Sequence, residues 1–175
     1  MRIGKRHIDC TLDNYRIDDA NRSAHTACVS IAEKPTSLIL SGPVGTGKTH
    51  LLAAVALMVD AKCSENGSWR VQFWPILDLV LKLRQNYDGC EELIEALNRS
   101  PLLILDDLGA ERTTDYIMET IESIVDYRYR QMRPTLVGTN LTLEELSTRY
   151  GNRVLSRWMG DGKFIRITGS DRRLK

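Results

Sequence analysis

Eight consecutive residues carry the densest chemistry in the chain: Gly42, Pro43, Val44, Gly45, Thr46, Gly47, Lys48 and Thr49. Together they fit the spacing G-x-x-x-x-G-K-[ST] in full. The glycines let the backbone turn tightly, so successive N–H groups converge on one phosphate group. A helix starting at Lys48 adds the positive end of its dipole to the same spot. In such a loop the lysine, here Lys48, reaches the β- and γ-phosphates, and the Thr49 hydroxyl ligates Mg²⁺. His50, next in the chain, joins the same contact set. The implied ligand is a nucleoside triphosphate with its Mg²⁺.

The run Leu102-Leu-Ile-Leu-Asp106-Asp107 places two carboxylates at the end of an apolar stretch. In open parallel sheets the carboxyl ends of the strands are where ligands bind. Asp106 is suited to hold Mg²⁺ and its water shell, and Asp107 to orient or deprotonate an attacking water. A third candidate is Asn140, at the end of Thr135-Leu-Val-Gly-Thr139. Its amide could bond the γ-phosphate and the lytic water, or it could cap a helix opening at Leu141-Thr142-Leu-Glu-Glu145. The segment also excludes something, because a guanine-reading switch protein carries N-K-x-D here and Asn140-Leu-Thr-Leu143 does not. ATP is favoured over GTP. The C-terminal part concentrates arginine: Arg149, Arg153, Arg157, Arg166, Arg172 and Arg173. Arg153 and Arg157 lie one helical turn apart and share a face. They are either solvated surface groups or phosphate contacts.

These residues must be held by regular elements, and the patterning supplies them. Short apolar runs at Leu38–Leu40, Val71–Trp74, Leu102–Leu105, Thr135–Val137 and Phe164–Ile167 are bounded by turn formers and read as strands. Helical patterns lie between them, at Thr49–Ala61 and Thr114–Met132. A stripe of Ile76, Val80 and Leu83 follows Pro75, expected at the first helical position. A shorter helix is expected within residues 88–100, packed over the sheet edge. Strand and helix in strict alternation predict an α/β domain with a mainly parallel five-stranded sheet.

Length and charge set the frame for this site. The 175 residues fit one domain, with residues 1–35 as an N-terminal segment plus first helix and 36–175 as the core. Lys and Arg number 24 against 23 Asp and Glu, so the chain is no polybasic coat, although a local basic patch is possible. No apolar run approaches the roughly 18 residues of a membrane span, and the expected location is the cytoplasm. Cys10, Cys28, Cys63 and Cys90 form no C-x-x-C pair, so reduced thiols are expected rather than a zinc cluster.

The order of motifs resembles a known group. It runs Gly42–Thr49, Leu102–Asp107 continuing Leu-Gly-Ala-Glu111, Val137-Gly-Thr-Asn140-Leu-Thr-Leu-Glu-Glu-Leu146, then Gly151-Asn-Arg-Val-Leu-Ser-Arg157. This resembles the ATPase domain of helicase loaders of the DnaC/DnaI type, within the AAA+ superfamily, and the related IstB-type transposition helper ATPases. The resemblance implies a three-layer α/β/α P-loop fold without a helical lid. It implies Asp106 and Asp107 as the Walker B pair and Asn140 as the sensor 1 residue. Thr11-Leu-Asp-Asn-Tyr15 resembles the segment placed beside the adenine, which assigns Tyr15 to the nucleotide. Arg157 matches the arginine that reaches a neighbouring subunit's ATP, with Arg153 as the fallback. Arg172 or Arg173 resembles the sensor 2 position. Asp107 stands where many AAA+ proteins have Glu, and the shorter side chain implies slow, partner-stimulated hydrolysis.

The resemblance implies an ATP-dependent homo-oligomer that binds ssDNA and engages a hexameric replicative helicase, with Arg128, Arg130 and Arg133 as basic residues that could track a backbone. The short stretch before the first strand fits the motor part of a loader better than the adaptor part. The alternative partner is a transposase on duplex DNA. A small P-loop kinase and a binding-only scaffold are further readings, disfavoured by the acidic pair with Asn140 and by intact Lys48, Thr49 and Asp106 respectively.

Overall fold

The computed structural model describes residues 1–65, 70–85, 90–112, 114–160 and 162–172. A 3-10 turn (Lys5–His7) precedes α1 (Arg22–Glu33), β1 (Leu38–Ser41), α2 (Lys48–Glu65), β2 (Gln72–Pro75), α3 (Ile76–Gln85) and α4 (Cys90–Arg99). Then follow β3 (Leu103–Leu108), α5 (Asp115–Arg130), β4 (Thr135–Thr139), α6 (Leu143–Met159) and β5 (Lys163–Arg166). The strands form one sheet in the order β2-β3-β4-β1-β5. Every pairing is parallel, with Leu38 opposite Leu136 in β4 and Lys163 in β5.

Successive strand residues point to opposite faces, and both faces here are covered. Leu38 and Leu40 pack with α1 and α2 on one side, while Ile39 packs with α3, α5 and α6 on the other. Leu136 and Val137 divide in the same way. Two buried faces explain why the strands read as unbroken apolar runs. The same burial accounts for α2, whose Leu51 to Ala56 are all fully buried. A helix apolar all round belongs in an interior.

The elements depart from expectation at four places. Pro75 ends β2, pairing opposite Asp106, and the helix starts at Ile76. The segment expected over the sheet edge, α4, lies against α5 instead; its expected start at 88 and 89 falls outside the described residues. The register of β3 against β4 shifts between Leu105 and Leu108, a bulge that falls on the two aspartates. Helix α6 is also broken: Gly151 adopts φ 84°, ψ 152°, a conformation closed to side-chain-bearing residues.

Candidate nucleotide site

The phosphate loop joins the carboxyl end of β1 to the start of α2, between β4 and β5. Its shape is set from within. The Thr46 hydroxyl donates to the Pro43 carbonyl at 2.9 Å, and the Gly42 N–H donates to the Thr139 carbonyl of β4 at 3.1 Å. Gly47 has φ 95°, and a Cβ there would come within 2.8 Å of the Tyr15 ring. Glycine is required on both counts.

Lys48 is the hub of the site. Its Nζ donates to the Gly42 carbonyl at 2.7 Å, the Pro43 carbonyl at 2.8 Å and Asn140 Oδ1 at 2.8 Å. The ammonium thus bridges its own loop to the end of β4. Asn140 is brought to the lysine and does not cap α6. That cap is Thr142, whose hydroxyl accepts from the Glu145 N–H while the Glu145 carboxylate accepts from the Thr142 N–H. The Thr139 hydroxyl holds the intervening turn by accepting from the Leu141 N–H at 3.0 Å.

The bulge gives the two aspartates different environments. Asp106 stays inside, 3% exposed, while Asp107 turns outward with φ 55°. Aspartate is among the few residues that tolerate this left-handed backbone. Burial pushes the Asp106 carboxyl up to about 6, and the neighbouring Asp107 charge adds to the effect; a hydrogen bond from Thr49 and the Lys48 charge work against it. A Cβ on Gly138 would come within 2.5 Å of Asp106 Oδ1, so the strand beside the carboxylate must be bare.

A hydroxyl and a carboxylate in contact are hard oxygen donors, the set that Mg²⁺ prefers when phosphate and water complete its shell. Asp106 Oδ1 is buried without a hydrogen-bond donor, as a cation-facing oxygen would be. Thr49 and Asp106 therefore fit the ion. Among the described residues no cluster of three His, Cys, Asp or Glu side chains offers a protein-only metal site.

These groups open onto a cleft of about 570 Å³. Val44, Gly45, Gly47, Lys48, Thr49, His50, Tyr15, Asp107, Asn140 and Arg172 all line it; Gly42, Pro43 and Thr46 shape the loop behind. Tyr15 donates to the Thr46 carbonyl at 3.3 Å, and His50 meets its ring edge-on at a centroid distance of 5.2 Å. His50 Nε2 also lies 2.9 Å from the Thr11 carbonyl. Sequence reasoning missed Arg6, His7, Cys10 and Arg16, which wall the cleft from the N-terminal segment. No motif marks them, because folding of that segment over the loop is what brings them there.

The arginines separate. Arg172 lies over the Tyr15 ring, its backbone N–H on the Gly45 carbonyl at 3.0 Å, and its guanidinium pairs with Asp18 and the Arg16 carbonyl. Arg173 lies outside the described residues. Arg153 and Arg157 are not at their own phosphate loop: from α6 they pair with Glu122 at 3.3 Å and Asp126 at 2.7 Å on α5. Arg149 is half-buried against Glu111. Arg128 corrects the expectation outright. It is 1% exposed and cannot track a backbone; its guanidinium donates to the carbonyls of Leu97, Ser100 and Pro134 and to the Thr135 hydroxyl. Burial, with Arg133 nearby, pushes this guanidinium down to about 9.

Known proteins resemble this chain over most of its length. A family model described as IstB-like ATP binding protein matches residues 3–174. The uncharacterized protein YdaV of Escherichia coli K12 is 31% identical over 170 residues, covering 91% of this chain and 66% of that protein. The replicative helicase loader DnaC of the same organism is 29% identical over 162 residues, covering 86% of this chain and 63% of DnaC. The chain thus spans slightly under two thirds of these relatives. The crystal structure of the DnaC helicase loader superposes with a TM-score of 0.82 at 28% identity, over 94% of this chain and 99% of that one. The shared architecture is the AAA+ α/β fold with its five-stranded parallel sheet. A match of that extent, on a fold that overlays a loader's, places the chain in the IstB-like ATP-binding family.

Proposed function

We propose that this protein is a Mg²⁺-dependent ATPase of the helicase-loader type, which uses ATP to control its own assembly on single-stranded DNA and its hold on a hexameric replicative helicase. The observation that carries the reading is the Lys48 bridge to Asn140, with Thr49 and Asp106 beside it. The loop after β1 brings Lys48 and Thr49, β3 brings Asp106 and the end of β4 brings Asn140 to the place where a γ-phosphate would be held.

In this reading the loop N–H groups and Lys48 bind the phosphates, Lys48 exchanging its loop carbonyls for phosphate oxygens. Tyr15, His50 and Arg172 close the side of the cleft against the N-terminal segment. Asp107, exposed on the bulge, orients a water and takes its proton, and Asn140 holds the same water or the terminal phosphate. Mg²⁺, held by Thr49 and Asp106, supplies charge neutralisation at the phosphates. Arg157 serves a neighbouring copy, with Arg153 the fallback, which makes the assembly head-to-tail. Such contacts repeat into rings or arcs. Asp107 in place of a longer Glu sets slow turnover that a partner accelerates.

Nucleotide binding and turnover, measured separately, test the core of this proposal. Lys48→Ala should lose ATP, whereas Asp107→Asn should retain it and turn over about 10²–10⁴-fold more slowly, the usual worth of a general base. Equal turnover by Asp107→Asn and wild type would remove Asp107 from that role. The match to the IstB-like family favours one second reading, a transposition helper acting with a transposase on duplex DNA. Pull-down with ATP distinguishes them by whether a helicase or a transposase is retained.

A further inference from the structure

Thr139 ends β4 immediately before Asn140, and its side chain is wholly buried. An interior hydroxyl has one proton to give and lone pairs to fill. Here Oγ1 donates to the Leu108 carbonyl at 2.7 Å, and the same oxygen accepts from the Leu141 N–H at 3.0 Å. The first partner is the residue after Asp107, and the second is the residue after Asn140. The Thr139 carbonyl in turn accepts from the Gly42 N–H, at the start of the phosphate loop. One residue therefore touches the chain beside all three parts of the site.

The hydroxyl stands where the ladder is broken. Between the pairs Leu105–Val137 and Leu108–Thr139, β3 takes three residue steps and β4 only two. Such a bulge leaves part of the backbone pairing unmade, and the side-chain bond to the Leu108 carbonyl stands in for it. Two further contacts fix the turn after Asn140. Ser41, buried at the end of β1, donates to the Leu141 carbonyl at 2.7 Å. The Leu141 side chain lies on Gly109, where a Cβ would come within 2.7 Å of its Cδ1. Leu141 is thus pinned by its N–H to β4, by its carbonyl to β1 and by its side chain to the loop after β3.

Satisfying two buried backbone groups would by itself make Thr139 a stabilising residue. Thr135 is one, at the other end of β4, where its hydroxyl accepts from Arg128 at 3.0 Å. What sets Thr139 apart is that its two partners adjoin the two side chains read as holding the lytic water. We propose that Thr139 is a positioning residue for ATP hydrolysis: its hydroxyl fixes the spacing between Asp107 and Asn140, so that both address one water, and carries a movement of either to the other. This role rests on the reading of Asp107 and Asn140 as the water-holding pair. Asp107 needs the support, because its φ of 55° is a conformation that neighbours must hold in place.

The test is a double-mutant cycle on the full chain, with ATP affinity and turnover measured separately. Thr139→Val keeps the shape and removes the hydroxyl. It should leave ATP affinity unchanged and lower turnover about 10²-fold, the cost of a displacement near 1 Å. Thr139→Ser, which keeps the hydroxyl, should restore turnover. In an Asp107→Asn background Thr139→Val should have no further effect, because residues that act as a unit are not additive. Thr135→Val should lose stability in urea with turnover unchanged. Ser41→Ala removes only the bond to the Leu141 carbonyl; it should repeat the pattern in smaller measure, and it carries the cycle if Thr139→Val does not fold. Three results would each overturn the role of Thr139 and leave Asp107 and Asn140 in theirs: wild-type turnover in Thr139→Val, an equal fold loss in the Asp107→Asn background, or a fall in ATP affinity that accounts for the whole effect. Wild-type turnover in Asp107→Asn would overturn the reading of Asp107 itself, and this role with it.

Discussion

The Tyr150 hydroxyl donates to the Glu111 carboxylate, whose other oxygen accepts from the Gly109 N–H at 2.9 Å. One buried side chain therefore ties α6 to the loop that follows Asp107. The Ala110 N–H bonds the Asp107 carbonyl at 3.1 Å, which makes the exposed aspartate part of the same clamp. Arg149 adds its guanidinium to Glu111. Burial, together with Glu111, raises the Tyr150 phenol, which stays a donor across the working pH range. Glu111 holds the geometry around Asp107 without touching the cleft.

Glu111→Ala is expected to leave the Gly109 N–H and the Tyr150 hydroxyl unpaired in the interior. Each orphaned group costs about 1–3 kcal/mol, so a loss of roughly 2–5 kcal/mol is expected in urea denaturation. Tyr150→Phe, losing one bond to the buried carboxylate, should cost about 1.5–3 kcal/mol. ATP affinity should survive in Tyr150→Phe while turnover falls. A destabilised variant with normal turnover would show that the clamp supports the fold and not Asp107.

Asp106 sets a pH dependence with a definite sign. Unfolded, its carboxyl loses its proton near the ordinary 3.8; folded, it keeps it to about 6. Between those values the folded state binds more protons, so this group lowers stability as pH rises through the window. Above it the charged, buried carboxylate costs on the order of 3 kcal/mol. Asp106→Asn should melt higher at neutral pH without nucleotide or Mg²⁺, should flatten the melting curve against pH between 4 and 6 and should lose Mg²⁺-dependent ATP binding. A lower melting temperature at pH 7 would contradict the burial penalty.

Arg157 is expected to act across a subunit junction. Arg157→Ala and Lys48→Ala are each expected to be inactive alone, because an arginine supplied in trans contributes about 10³–10⁵ in rate. Mixed, they should recover part of the activity, each providing the half the other lacks. Release of phosphate is the measurement, and no recovery under assembling conditions would count against a shared site. The equivalent mixture with Arg153→Ala decides between the two arginines.

The phosphate loop was legible because its chemistry is local, eight residues with backbone turning dictated by glycine. The strand ends bearing Asp106 and Asn140 were legible for a related reason: strands buried on both faces leave apolar runs that stop abruptly at a polar residue. The choice between the two readings of Asn140 was also within reach, since Thr142 and Glu145 have capping-box spacing and leave Asn140 no cap to make. Arg128 was not. Its acceptors are carbonyls at Leu97, Ser100 and Pro134, brought together from α4 and β4, and a carbonyl has no sequence identity. The walls built by Arg6, His7 and Cys10 were hidden for the same cause, a contact made by the path of the backbone.

The break at Gly151 divides α6 into two segments. The first half is anchored through Tyr150 and Arg149 to Glu111, and the second carries Arg153 and Arg157 along α5. No intrahelical ladder runs uninterrupted across a residue at φ 84°, ψ 152°, so each half can open without dragging the other. Amide exchange should therefore step at residue 151. Space beside Gly151 is open, with nothing within 4 Å of an added Cβ, so Gly151→Ala would act through backbone strain alone. The half-helix bearing the arginines can thus answer to a neighbouring copy without disturbing the half that holds Glu111.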